Sequence, residues 1–498
     1  MAAGITRADV RSAGLWFAGA LALYLATSAR GLVWADSSKL TLYALSGYFP
    51  SLNPGDHAGW TVLAWGWLRL VGGDPVVAAH RLSAMFGALA VALAMLLTVA
   101  RTGDRERAHT TAALLLVALP MWWAATVTET YTAALALALL GGVVLLGSGR
   151  GWRWWVAGVA WGLALACHAM AIVLILPLAW EAGWRAAWRL LPGAAVGAAP
   201  VWLALFGGGP PDPLTSFAAS GPATWRWHWE AFVAFARAPR GLAVLAAIVA
   251  YSLGPVGLVA WWRGRRAPRG GLAWGVPLAA LAVLLATYAP YRLHLMAIFL
   301  IAGALIAFPV RLGAPGRAAT VVVQILIYLA VPAVVTLAGR QDLGVRVLPY
   351  RNNAFYFLCP LKGLPAAAAG WKPAALLDPG TERYVAALGE CAPPNAAVVA
   401  DFNPGAPLRL AQVARDWRPD LQVRPVAVDV ALGSRDPVAA LVAEIRRELA
   451  TRPVVLADTY EPYYHLRGLA ATFDLRACMV GARAAAANTG TTPRPTPD

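Results

Sequence analysis

The 498-residue chain is 59% hydrophobic and only 13% charged, with many apolar runs near the roughly 20 residues that cross a bilayer, which excludes a water-soluble globular enzyme. Its net charge of +16 could suggest nucleic acid, but the basic residues sit in short loops between apolar runs, where they mark the cytoplasmic side of a membrane protein. No nucleic-acid partner is expected. Many of the 23 tryptophans flank those runs beside Arg or Gly, as in an interfacial aromatic belt, and no phosphate-loop motif points to ATP.

The basic N-terminus, with Arg7 and Arg11, precedes a first helix over 13–31 and reads as uncleaved and cytoplasmic. The following stretch, 32–81, reads as the first external loop and gathers the first polar groups of the chain. Asp36, Asp56 and His57 lie there among Trp34, Tyr43, Tyr48, Phe49 and Trp60. An acid leaving a membrane helix into an aromatic, half-buried loop is desolvated and held in place, the conditions that suit a general base. Within the loop, 59–72 is apolar but too short to cross and carries Arg69, so it reads as a helix lying in the interface.

Helices over 82–100, 110–127 and 130–148 follow, with Arg101, Arg105 and Arg107 at a cytoplasmic turn and Glu129 at an outer one. The uncharged stretch between Arg153 and Glu181 fits either a hairpin of two short helices with His168 near its outer tip or one long tilted helix. Further helices are expected over 190–206, 241–262, 270–288, 294–310 and 318–338. That makes about eleven crossings, with every basic cluster on one side, the N-terminus inside and the C-terminus outside. An external segment, TWRWHWEAF, fits an interfacial belt or a wall for a lipid. The helical part is thus a membrane domain over 1–339.

From residue 340 polar residues return. The sequences AAVVADFNP, LRLAQVARDW and LQVRPVAV read strand, helix, strand, and PVVLADTY reads as another buried strand. A small external α/β domain over 340–483 is expected, then a disordered tail over 484–498. The four cysteines match no metal spacing, and one disulfide, with Cys391 and Cys478 as the pair considered, is permitted outside the cytoplasm.

Asp36, Glu129 and His168 all fall at outer helix ends. Taken singly, each also fits a solvated or internally satisfied polar residue; their convergence on one face favours a site. Asp56 and His57 fit a turn after Pro54-Gly55. Arg292, flanked by Tyr288, Tyr291 and His294, fits a fork for phosphate oxygens or an anchor reaching the interface.

The order of an acid after the first helix, an aromatic interfacial helix, a helix led by Arg81 and an acid after the third helix, with ATVTETY, WGLALACHAM and PYRLHL, resembles the polytopic glycosyltransferases of the GT-C fold. Within them it is similar to the protein O-mannosyltransferase-like family, over about residues 10–310. The resemblance implies a sugar transferred from a polyprenyl-phosphate donor to the hydroxyl of a protein or glycolipid acceptor outside the cytoplasm, mannose being the sugar of the named relatives; loops without an N-x-S/T pattern point to a bacterial inner membrane. It implies Asp36 and Glu129 as catalytic acids, and His57, Trp60, Tyr131, His168 and Arg292 as substrate-binding residues. Two positions depart from the family pattern. Lys39 stands where the first motif usually has a second acid, and the proline-rich motif is reduced to Asp56-His57-Ala58-Gly59-Trp60. No cofactor is expected, and the missing acid argues against a divalent metal. A transporter would need polar residues along a path through the bilayer, and an inactive scaffold would keep the fold with a vestigial site.

Overall fold

The computed structural model describes residues 4–49, 57–147, 151–206, 213–214, 240–264, 275–276, 290–337, 358–362, 380–424, 436–458, 464–476 and 479–482. Asp56, the TWRWHWEAF segment, nearly all of the helix expected over 270–288, Cys478 and the tail lie outside them, as do the side chains of Tyr291, Arg292 and His294.

The chain is an integral membrane protein, mostly helical, with a small C-terminal α/β domain. Its first third comprises α1 (Arg7–Thr27), α2 (Asp36–Ser46), α3 (Ala58–Val71), α4 (Pro75–Thr102), α5 (Arg105–Val117), α6 (Leu119–Thr126), α7 (Tyr131–Gly147) and α8 (Arg153–Cys167). Then come α9 (Ile172–Gly183), α10 (Leu191–Gly197), α11 (Ala199–Phe206), α12 (Arg240–Gly264), α13 (Pro290–Ala307) and α14 (Ala314–Leu337). Among the described residues α1, α4 and most of α14 are long and apolar enough to cross a bilayer, and two bent pairs, α5 with α6 and the run from Ala187 through α11, bring the number to five.

Two departures from the expected helices have local causes. The helix expected over 82–100 starts a full turn and more earlier, because Asp74 caps it and Pro75 fits its first turn. The one expected over 110–127 bends by 58° between α5 and α6. Pro120 disfavours continuation and instead starts a new helix at Leu119. Residues 36–46, read as irregular loop, form α2. Between α8 and α9 the chain breaks at His168, which has extended backbone, and returns, so that Glu181 at the far end of α9 pairs with Arg101 at the end of α4. The hairpin alternative is the one adopted. Glycines let α8 and α10 touch: a Cβ on Gly158, Gly162, Gly193 or Gly197 would strike backbone atoms of the other helix.

Charge pairs close the end of the bundle that carries the N-terminus: Arg105 with Asp9 (2.6 Å), Arg311 with Asp104 (2.6 Å) and Arg317 with Glu106 (2.5 Å). Tryptophan is divided between two environments. Trp152, Trp155, Trp180 and Trp188 are exposed on the outside of the helices, whereas Trp122 and Trp161 are buried and donate to Thr27 Oγ1 and the Ala138 carbonyl.

The C-terminal domain has helices α15 (Thr381–Cys391), α16 (Phe402–Arg415), α17 (Pro437–Leu449) and α18 (Leu466–Ala470). Its strands are β1 (Ala397–Val399), β2 (Gln422–Arg424), β3 (Val454–Leu456), β4 (Phe473–Arg476) and β5 (Met479–Ala482). They form a sheet in the order β2-β1-β3-β5-β4, with β2, β1 and β3 parallel and β5 antiparallel to β3 and β4. The expected strand–helix–strand is β1-α16-β2, and β3 is the fourth expected segment. Cys391 is disulfide-bonded, while Cys167 and Cys359 are free and buried.

This domain shares a core with the first loop. Leu32, Leu42, Tyr43 and Val76 pack with Leu388, Ala406, Leu410 and Val455. The Leu32 N–H donates to Glu382 Oε1 (2.7 Å), and Arg415 pairs with both Glu382 (2.8 Å) and Asp74 (3.4 Å). These contacts seat the α/β domain on the bundle end opposite to the N-terminus.

Candidate active site at the domain junction

The turn into α2 is set by Ala35, at φ 54° and ψ −123°. A residue with a Cβ rarely adopts this backbone, and holding it there costs about 1–3 kcal/mol. Trp34, buried on one side of the turn, packs its ring 5.1 Å from that of Tyr384 in α15. Asp36, on the other side, is the first residue of α2. One turn on, the Lys39 ammonium lies 3.4 Å from Asp36 Oδ1, 5.9 Å from the ring centre of Tyr43 and 5.4 Å from that of Phe402, the first residue of α16.

Beneath α2 runs the segment between α6 and α7. Thr41 Oγ1 is 3.5 Å from Thr128 Oγ1, which is 2.7 Å from His80 Nδ1, and His80 Nε2 is 3.0 Å from the Gly31 carbonyl. Because a carbonyl only accepts, Nε2 of His80 carries a proton, and in the neutral ring Nδ1 accepts from Thr128. Glu129, next in the chain, is buried. Its backbone is pinned to α4 by reciprocal bonds: its N–H donates to Ser83 Oγ (3.1 Å), whose hydroxyl donates to the Glu129 carbonyl (3.2 Å).

A second group joins four elements. The His168 ring lies 4.5 Å from that of Tyr131, which opens α7, 5.1 Å from that of His57, which precedes α3, and 6.1 Å from that of Phe299 in α13. The two imidazoles stack at 17°. His57 Nδ1 faces the Cys167 carbonyl at 2.8 Å and so carries a proton, which in the neutral ring leaves Nε2 an acceptor. His168 Nδ1 accepts from the Met170 N–H at 3.1 Å, which in the neutral ring puts the proton on Nε2. Three positions separated by long stretches of sequence thus meet in one stack, with Glu129 two residues from its tyrosine.

Trp60 is fully buried, its ring 6.5 Å from that of Phe86. Its indole N–H and the buried hydroxyls of Thr130 and Thr132 have no hydrogen-bond partner among the described residues, an uncommon condition for buried polar groups. Arg292 falls in the first turn of α13, two turns before Phe299.

Sequence reasoning passed over two residues here. His80 carried the sign of any polar residue inside an apolar run. Lys362, outside every expected helix, carried none. Its ammonium is buried 5.4 Å from the Trp123 ring centre, and burial pushes it down to about 7, against a smaller opposing effect of Cys359.

Among the described residues, those of the first loop do not suit a divalent ion. The ammonium of Lys39 is already the cation on Asp36, and among the described residues no three His, Cys, Asp or Glu side chains are grouped to share a metal.

No protein-family model matches the chain, and no curated protein matches it. Among solved structures, the chain is similar to the crystal structure of ArnT from Cupriavidus metallidurans bound to undecaprenyl phosphate, at 15% identity and a TM-score of 0.49, over 94% of this chain and 97% of that one.

Proposed function

We propose that the protein is a membrane glycosyltransferase that moves a sugar, a hexose such as mannose, from a polyprenyl-phosphate donor to an acceptor hydroxyl of a protein or glycolipid. The observation that carries this reading is the meeting of the His57, Tyr131 and His168 rings, with buried Glu129 two residues before the tyrosine, at the bundle end that the α/β domain covers. Glu129, Tyr131 and His168 are residues of the motifs on which the family resemblance rests, and His57 lies in the reduced proline-rich motif.

In this reading the acceptor oxygen attacks the anomeric carbon while Asp36 takes its proton. The bond from that carbon to the phosphate oxygen breaks, and its electron pair leaves with the lipid phosphate. The transition state resembles an oxocarbenium ion, so the fixed carboxylate of Glu129 near the ring lowers its energy. His168 donates through Nε2 to a sugar or phosphate oxygen, His57 accepts a sugar hydroxyl, and Tyr131 is a stacking face. Trp60 backs this wall with an indole N–H that a ligand oxygen can satisfy. Arg292, opening α13, receives the departing phosphate. The N-terminus is cytoplasmic and the α/β domain lies outside, in a bacterial inner membrane.

A second reading, a silent scaffold, is favoured by one observation, the ammonium of Lys39 on the carboxylate that serves as base. The test compares a deletion strain carrying no gene, wild type or Asp36→Asn, with envelope proteins and lipids surveyed by mass spectrometry. A hexose-sized addition that disappears in the deletion and returns with wild type but not Asp36→Asn supports the transferase. Full restoration by Asp36→Asn removes Asp36 as base, and no change in any glycan supports the scaffold.

A further inference from the structure

The cation on Asp36 belongs to the chain itself, and it is unusually well fixed. The Lys39 side chain is 11% exposed, while that of its partner Asp36 is 34% exposed. The pair is therefore rooted in protein on the lysine side and open on the aspartate side. Contacts from two domains hold the ammonium, among them Asp36 and Tyr43 from α2 and Phe402 from the N-terminus of α16. Desolvated ammonium groups over aromatic faces gain from both rings, and a buried cation of this kind is costly to build without a use.

We propose that Lys39 is the resident cation of the site and binds the donor phosphate, at a position where the missing second carboxylate leaves no pair to hold a divalent metal. The inference rests on the transferase reading for its ligand, a lipid-linked phosphate. Lys39 binds that phosphate before reaction and neutralises the charge gained as the lipid phosphate departs, with no metal required. The α/β domain takes part through Phe402, whose ring lies 5.4 Å from the ammonium.

The test uses the purified full-length protein in detergent micelles, with two probes. The first is Mn²⁺ alone, followed by electron paramagnetic resonance. Wild type is expected to take up no stoichiometric Mn²⁺, and Lys39→Glu, which restores a carboxylate pair, is expected to gain a site that Asp36→Asn in the same background removes. Stoichiometric Mn²⁺ on wild type that Asp36→Asn abolishes would overturn the proposal. The second probe is a short-chain polyprenyl phosphate, followed by calorimetry. Lys39→Met is expected to weaken binding about tenfold or more, whereas Lys39→Arg, which keeps the charge, is expected to retain most of it. Melting curves of both variants confirm equal folding. Equal binding by wild type and Lys39→Met sinks the proposal and leaves the transferase reading standing. A wild type that binds no polyprenyl phosphate sinks that reading, and the role of Lys39 with it.

Discussion

Gly59 lies between His57 and Trp60, where α3 meets the end of α8. A Cβ added there falls 2.7 Å from the Ala166 carbonyl carbon and the Cys167 nitrogen. Both are backbone atoms and cannot swing aside as a side chain would. Ordinary carbon contacts begin near 3.4 Å, so Gly59→Ala must push α3 off α8 by about 0.7 Å. The His57–Cys167 hydrogen bond, now 2.8 Å, would stretch to the limit of bonding, and the imidazole stack would open with it. Overpacking of this kind costs about 1–3 kcal/mol and the lost bond about 1 more. Better helix propensity returns up to about 1 kcal/mol, which leaves a net loss of about 1–3. A displacement approaching 1 Å among positioned groups lowers turnover by up to about a hundredfold. The same helix supplies the control: Gly66 has nothing within 4 Å of its added Cβ, so Gly66→Ala should be neutral or slightly stabilising. Thermal melting in detergent reads the first effect, and restoration of the glycan in the deletion strain reads the second. If Gly59→Ala melts and complements as Gly66→Ala does, the α3–α8 contact does not set the site.

Ala35→Gly relieves the strained turn before Asp36 and should raise stability by about 1 kcal/mol after the entropy of the added glycine is counted; an unchanged melting temperature would contradict the strain. Lys362 is protonated in the unfolded chain up to about its ordinary 10.5 but in the folded protein only below about 7. Between those values the unfolded state binds the extra proton, so stability should rise with pH by about 1.4 kcal/mol per unit. It should level off below pH 7, and Lys362→Met should lack that slope; parallel pH–stability curves for the two proteins would refute the buried ammonium. Glu382→Ala removes the bonds to Leu32 and Arg415 that tie the α/β domain to the first loop. It should speed protease cleavage at the junction severalfold, for a loss of about 1–2 kcal/mol at these partly exposed groups. Alkaline phosphatase fused after Asp498 should be active and the same enzyme inserted at Gly103 inactive, since the first position reads as external and the second as cytoplasmic; the opposite pattern inverts the topology.

The helices of the bundle were readable because each is announced by its own residues: an apolar run, a capping acid or a proline, and basic residues at one end. The break at His168 was readable for the same reason, since the uncharged stretch around it had room for two short segments. The strands β1, β2 and β3 declared themselves as short β-branched runs after the composition changed. What was hidden lay mostly in the first loop. The sequence DSSKLTLYALS has no strong apolar face, yet it forms α2, because the α/β domain buries it from one side and the bundle from the other. Its helical state depends on partners more than 300 residues away, which no local pattern reports.

By itself the sequence determined that this is a membrane protein with a compositionally distinct C-terminal domain, because hydropathy over a helix length and alternation over a strand length are local quantities. It also marked which polar residues fall at helix ends. Only the tertiary structure decided that His57, Tyr131 and His168 stack, that His80 bridges Thr128 to Gly31, and that Lys39 sits between Asp36 and an aromatic residue of the other domain. Such meetings depend on the rotation and offset of packed helices, set by close contacts like that of Gly59 with Ala166, where a fraction of an ångström decides which side chains touch.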